Sequence, residues 1–223
     1  RLQATLATLS GSGHGVFTAD VSNDDSMQAM AEAVLAEWGV PDVLINNAGI
    51  ASGGDVLEAP ISEWRQLWEV NVLSVVRGTK LFLPAMLKRG SGHVVSTASF
   101  AGLAGAPGLM TYGVSKAAVV AFSEQLRAEC HGTEVDVSVI CPAFFKTNLM
   151  QSTVGTEKIK HLGQKMMDRS PDSLDQVADR IFADINKRRF LIIPTKNEPM
   201  LWRIKRFFPS WYFRELIKRA GDM

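Results

Sequence analysis

His93-Val94-Val95-Ser96-Thr97, then Ser99, then a loop carrying Gly102, Gly105 and Gly108, then Tyr112-Gly113-Val114-Ser115-Lys116: in this one stretch a short apolar run gives way to a Gly/Ala-rich loop and then to a long amphipathic segment. The hydrophobic period changes from two to about 3.6, as it does where a strand feeds a helix. Outward from this unit the alternation repeats. Strands are expected at Gly15 to Thr18, Asp42 to Asn46, Val135 to Ile140 and Phe190 to Ile193, and helices at Asp24 to Trp38, Ser62 to Lys88, Tyr112 to His131 and Ser173 to Lys187. Strand–helix repeats of this kind build an α/β fold around a parallel sheet.

Local signals mark some boundaries. Ser62 just past Pro60, and Ser173 after Pro171, read as helix starts. Pro84 predicts a kink or break late in the helix from Ser62, because it lacks the N–H that the helical ladder needs. Phe144 to Asp168 is more polar and less periodic, which predicts a mobile loop or short helices over a site.

The chain has 223 residues, 46% of them hydrophobic, and a net charge of +1, enough for one substantial core. That balance gives no basic face of the sort nucleic acid requires. Only Cys130 and Cys141 are present, so a disulfide framework is not expected and a reducing compartment fits. No uninterrupted apolar run approaches the roughly 20 residues of a membrane span. The reading is a soluble, cytoplasmic protein. His-Glu-x-x-His, Cys-x-x-Cys and Gly-Lys-Ser/Thr patterns are absent from the sequence, and His14, His93, His131 and His161 are dispersed, so no metal is expected.

Tyr112 and Lys116 are spaced i and i+4, so their side chains share one helical face a turn apart. A nearby ammonium favours phenolate, which predicts that Lys116 lowers the Tyr112 pKa and makes it a proton donor and acceptor. Taken alone, the pair is weak and better suits a solvated helix face, since both residues are common on helix surfaces. Ser99, at the carboxyl end of one strand, can converge with the pair on one substrate oxygen.

Asn46-Asn47-Ala48-Gly49 after Val43-Leu44-Ile45, Asn71 in Glu69-Val70-Asn71-Val72, and Ser99, Tyr112 and Lys116 in that order resemble the short-chain dehydrogenase/reductase family. Asp20-Val21 resembles its adenine-side pair, and Pro142 to Thr147 its nicotinamide loop. The resemblance spans Asp20 to Thr147 and implies a Rossmann-like, doubly wound parallel sheet. It implies a domain over residues 1–197, a basic and aromatic tail over 198–223, and NAD or NADP as cofactor. Asn71, Ser99, Tyr112 and Lys116 would be catalytic; Asp20, Val21, Asn47, Ala48, Gly49, Tyr112, Lys116, Pro142 and Thr147 would bind the cofactor. Asn71 would support a water linking Lys116 to solvent. A homodimer or homotetramer is the family expectation, with the helices after Ser62 and Tyr112 as contact faces.

Two features depart from the pattern. Ala143 stands where the family has glycine, which is tolerated unless the position needs a positive φ. The family's glycine-rich phosphate loop does not occur: Gly11-Ser12-Gly13-His14-Gly15 lacks the G-x-G-x-x-G spacing and a following helix. By family comparison Arg1 to Ser10 corresponds to the helix after the second strand, so a first β-α-β unit is not among these 223 residues.

Phe144, Phe145, Leu149 and Met150 follow Pro142 and point to an apolar carbonyl or alcohol substrate. From Met200 to Ile217 the segment carries Leu201, Trp202, Ile204, Phe207, Phe208, Trp211, Tyr212, Phe213, Leu216 and Ile217, interleaved with Arg203, Lys205, Arg206, Arg214 and Lys218. This segment either contacts a membrane surface peripherally, covers a substrate channel or packs on its own domain or a partner subunit, and Pro209 interrupts it. Hydride transfer is the expected chemistry. The alternatives are a non-catalytic membrane-surface or binding protein on the same fold, and sugar epimerisation, for which little chain remains after Thr147.

Overall fold

Val94 and Val95 are adjacent in the sequence, fully buried, and point to opposite faces of a sheet, so this sheet is covered on both sides. The computed structural model describes residues 2–147 and 157–221. Its four strands, β1 (Val43–Asn46), β2 (Gly92–Thr97), β3 (Val135–Ile140) and β4 (Leu191–Ile192), are all parallel and lie in chain order. The helices are α1 (Leu2–Leu6), α2 (Asp24–Trp38), α3 (Ile61–Leu67), α4 (Ser74–Arg89), α5 (Ala101–Ala104), α6 (Met110–Glu129), α7 (Glu157–Asp168), α8 (Leu174–Asn186), α9 (Glu198–Phe207) and α10 (Pro209–Gly221). Trp68–Leu73 is a π-helical stretch joining α3 to α4.

On one face Val94, Val135 and Val137 pack against Met86 of α4 and Leu126 of α6. On the other, Val95, Ile140 and Ile192 pack against Ile185 of α8. This is the doubly wound α/β architecture. Ser173 caps α8, as its position after Pro171 predicts, and it does so through a reciprocal capping box with Gln176. The stretch Ile61–Arg89 is long and apolar enough to cross a membrane by length and composition. Here Leu67, Val72, Val75, Phe82 and Met86 are buried in the core of the protein.

Several sequence expectations change. Gly15 to Thr18 is not a strand: among the described residues it has no neighbouring strand to pair with, and a lone extended segment has no ladder. The outer edge of β1 is unpaired among the described residues, and Ile45 is 51% exposed. The helix near the start is short, covering Leu2–Leu6 rather than the residues to Ser10. Pro60, not Ser62, stands at the head of α3 and makes no side-chain cap. Pro84 does not break α4. The carbonyl its ring deprives of a donor belongs to exposed Lys80, where water can take the bond. The helix departs from α geometry at the π stretch instead, around Asn71.

Candidate functional site

The carboxyl ends of β1, β2 and β3 meet the amino-terminal part of α6, and the chemistry-bearing residues gather there. Ser99 follows β2; its hydroxyl donates weakly to the Pro142 carbonyl at 3.4 Å and accepts from the Ala101 N–H at 3.1 Å. Phe100 N–H donates to the same Pro142 carbonyl at 2.8 Å, so the loops after β2 and β3 are stitched together. The Tyr112 phenol lies close enough to the Ser99 hydroxyl for that hydroxyl to act on its ionisation. Lys116, 4% exposed, donates to the Thr97 carbonyl at 2.9 Å, and its ammonium lies 5.9 Å from the Tyr112 ring centroid. The structure therefore brings Ser99, Tyr112 and Lys116 together.

Asn71, fully buried on the π stretch, grips the backbone of Ile50 in both directions: Oδ1 accepts its N–H at 2.8 Å and Nδ2 donates to its carbonyl at 3.0 Å. Nδ2 also donates to Ser115 Oγ at 3.0 Å, and Ser115 donates to the Tyr112 carbonyl at 2.8 Å. Asn71 thus ties the turn after β1 to the Tyr112 helix. Gly49 sits where the two meet. A Cβ there would lie 3.1 Å from Asn71 Oδ1 and 3.2 Å from Lys116 Nζ, tighter than side chains normally pack. Gly102 lets α5 touch the α6 backbone, since a Cβ would come within 2.6 Å of Ala117 N.

Electrostatics correct one expectation. Burial raises the Tyr112 pKa above its ordinary 10.0, outweighing the opposite pull of the Ser99 hydroxyl. Lys116 is not among the groups that shift it. The same burial lowers Lys116 from 10.5 to about 8. At neutral pH the phenol is protonated and the ammonium charged. Cys141, close by, is pushed up to about 12 by burial, against the pull of Lys116, and remains a thiol.

The other predicted cofactor residues are more spread. Asn47 and Ala48 are exposed just past β1, and Pro142 and Thr147 are half-buried beyond β3. Asp20 is exposed ahead of α2, and its carboxyl is held below the usual range by the Ser22 hydroxyl and backbone N–H. Val21 is anchored through its carbonyl by Arg77 of α4 at 3.2 Å. Ala143 needs no glycine: among the described residues the only non-glycine at positive φ is Arg188. Phe144 and Phe145 are half-buried, whereas Leu149 and Met150 lie outside the described residues.

A buried carboxylate escaped the sequence reading. Glu63 of α3 accepts from Ser52 Oγ at 2.5 Å and from Thr111 Oγ1 at 2.7 Å. Thr111 immediately precedes Tyr112, and Gly54 N–H donates to the Gly108 carbonyl at 2.8 Å, so the 50–54 loop is fastened to the head of α6. The only local hint is an acidic residue in the first turn of a helix, a common and non-specific sign. A surface recess of about 210 Å³ lined by Arg127, His131, Asp136 and Arg188 lies at the amino end of β3, away from these residues.

Residues 1–158 match the family model described as short chain dehydrogenase. The chain belongs to the short-chain dehydrogenase family. Among relatives of this short-chain dehydrogenase, the protein named "Probable oxidoreductase EphD" of Mycobacterium tuberculosis is 34% identical over 204 residues, covering 87% of this chain and 34% of that protein. The chain therefore spans about a third of that relative's length. The mouse "Dehydrogenase/reductase SDR family member 7B" is 32% identical, covering 98% of this chain and 70% of that protein. A short-chain dehydrogenase/reductase from Burkholderia phymatum, solved in complex with NAD, superposes with a TM-score of 0.82 at 31% identity. The match covers 91% of this chain and 78% of the other.

Proposed function

We propose that this short-chain dehydrogenase transfers a hydride between NAD or NADP and a carbonyl or secondary alcohol, with Tyr112 as the acid/base. The single observation that carries the reading is the meeting of the Ser99 hydroxyl, the Tyr112 phenol and the Lys116 ammonium at the carboxyl end of β2. A nicotinamide cofactor supplies the hydride acceptor or donor that these side chains lack, as the solved NAD complex of the Burkholderia relative supports. The residues present suit its nicotinamide half: Lys116 and Tyr112 to hold the ribose, Pro142 and Thr147 to flank the ring, and Asn47, Ala48 and Gly49 along the turn after β1. Asp20 and Val21, ahead of α2, would serve the adenine side. No glycine-rich turn opening a helix occurs in the 223 residues to hold the pyrophosphate.

In the reducing direction, Ser99 donates a hydrogen bond to the substrate oxygen and Tyr112 delivers its proton as negative charge develops there. Lys116 stabilises the resulting phenolate through its charge. At neutral pH a protonated Tyr112 beside a charged lysine is in the state that donates a proton to the substrate oxygen. Phe144 and Phe145, and an apolar tail close to α5, favour an apolar substrate. Exposed Trp68 on the π stretch, Leu87 on α4 and Val114 on α6 support a homodimer or homotetramer through these helices. The proposed units are a nucleotide-binding domain over 1–197 and a tail over 198–223.

The test is Tyr112→Phe in the polypeptide bearing these residues, assayed with NADH and NADPH against a panel of apolar ketones. Turnover should drop roughly 10²–10⁴-fold with little change in melting temperature, since the packed ring is kept and only the proton-bearing hydroxyl is lost. Retained turnover refutes the assignment.

A further inference from the structure

Residues 198–223 hold six basic residues against three acidic ones, which leaves the rest of the chain at a net charge of −2. The chain is therefore polarised, with its positive charge concentrated in α9 and α10. These two helices are divided at Phe208, ahead of Pro209, and pack on each other. Their inner side is mounted on α5: Lys205 donates to the Leu103 carbonyl, the Phe213 ring lies against Gly105 and under the Lys205 ammonium, and Tyr212 is buried.

The outer side is different. Phe207 is 70% exposed, Phe208 66% and Trp211 48%, so three aromatic side chains stand in water at the corner between the helices. Met200 shares a helical face with Arg203 and Phe207, and Trp211 with Arg214 and Lys218, by their spacing of three, four and seven residues. Arg203, Arg206, Arg214 and Lys218 are all exposed beside the aromatics. Glu215 pairs with Arg214 at 3.8 Å and Lys218 at 3.4 Å, contacts too exposed to neutralise the patch.

We propose that the α9–α10 corner docks on an anionic lipid bilayer. Bulky aromatics flanked by arginines match the boundary between acyl chains and phosphates: the rings leave water for the headgroup region while the guanidinium groups meet lipid phosphate. Neutral lipid supplies the apolar half of that match only, and the charge asymmetry selects an anionic surface. The corner is mounted on α5, the segment between Ser99 and Tyr112, so docking brings the bilayer close to the site. The substrate class follows: a lipophilic carbonyl or alcohol taken from the membrane. That second part rests on the oxidoreductase reading; the docking does not.

Sedimentation with phosphatidylcholine vesicles, with and without phosphatidylserine, tests the docking with no cofactor present. The protein should pellet with the phosphatidylserine vesicles and be released by salt. The triple variant Phe207→Ser, Phe208→Ser, Trp211→Ser, whose positions are exposed, should keep its melting temperature and bind roughly tenfold more weakly or worse. Arg203→Glu with Arg214→Glu should lose the preference for anionic vesicles. The proposal is overturned if the unaltered protein stays in the supernatant, or if the triple variant pellets as the unaltered protein does. It is also overturned if the patch instead holds two copies together, seen as a dimer that the triple variant dissociates while neither form binds vesicles. Turnover of a ketone presented in vesicles should fall in the triple variant while turnover of a water-soluble ketone is kept. Vesicle binding without any turnover would refute the oxidoreductase reading and leave the docking standing.

Discussion

Lys116 is charged where the protein is dry, and its replacement should stabilise the fold while abolishing the chemistry. Its pKa is lowered by burial from 10.5 to about 8, and each unit corresponds to about 1.4 kcal/mol, so keeping the ammonium at neutral pH costs the folded state about 3 kcal/mol. Lys116→Met removes the charge and fills much the same volume. It also removes the 2.9 Å hydrogen bond to the Thr97 carbonyl, which returns about 1 kcal/mol of the gain. The net expectation is about 2 kcal/mol of added stability, or a melting temperature higher by roughly 5 °C for a chain of this size. The pH dependence identifies the cause. Below about pH 8 both folded and unfolded lysine are protonated and the cost is complete; it fades as pH rises toward 10.5, where both are neutral. The difference between the two proteins should therefore be constant from pH 6 to 8 and close above it, while turnover of Lys116→Met stays negligible throughout. Urea unfolding at a series of pH values measures this. Equal or lower stability of Lys116→Met at pH 7, or a difference that ignores pH, refutes the reasoning.

Two further outcomes follow from buried polar groups. His93 is fully buried, bonded through Nε2 to Ser138 Oγ at 2.7 Å, and its pKa is lowered to about 4 chiefly by burial. The unfolded chain takes up that proton near pH 6.5, so stability should fall as pH drops from 6.5 toward 4, by about 3 kcal/mol in all. In His93→Asn this segment of the acid unfolding curve should flatten, and an unchanged slope counts against the assignment. Glu63→Ala leaves the Ser52 and Thr111 hydroxyls without their shared acceptor. It should cost about 2–4 kcal/mol in calorimetry and lower kcat more than it raises KM, because the head of α6 beneath Tyr112 loosens. An unchanged melting temperature would show that this carboxylate holds nothing.

What could be read from residues alone was local in origin. The i, i+4 spacing puts Tyr112 and Lys116 on one face in any α-helix, and β-branched runs ending in Ser99 or Asn46 mark strand ends by chemistry that needs no tertiary context. The alternation of those elements was enough to specify a parallel α/β sheet. The helix start at Ser173 was legible for the same reason, since a cap's partners lie within one turn.

Tertiary structure decided whatever depended on who lies beside whom. Gly15 to Thr18 carries a strand-like pattern, but a ladder needs a neighbour, and none pairs with it among the described residues. Pro84 stays helical because the carbonyl it deprives belongs to Lys80 on the exposed side of α4, a matter of which side of the helix is buried. Glu63 joins Ser52 and Thr111 across 11 and 48 residues of chain, separations that no local pattern encodes. The Tyr112 pKa moved opposite to the direction that spacing suggested, because desolvation depends on everything packed around the ring, whereas spacing reports only the neighbour one turn away. Sequence fixes which groups a helix or strand presents; packing fixes the dielectric and the partners those groups meet, and these set their chemistry.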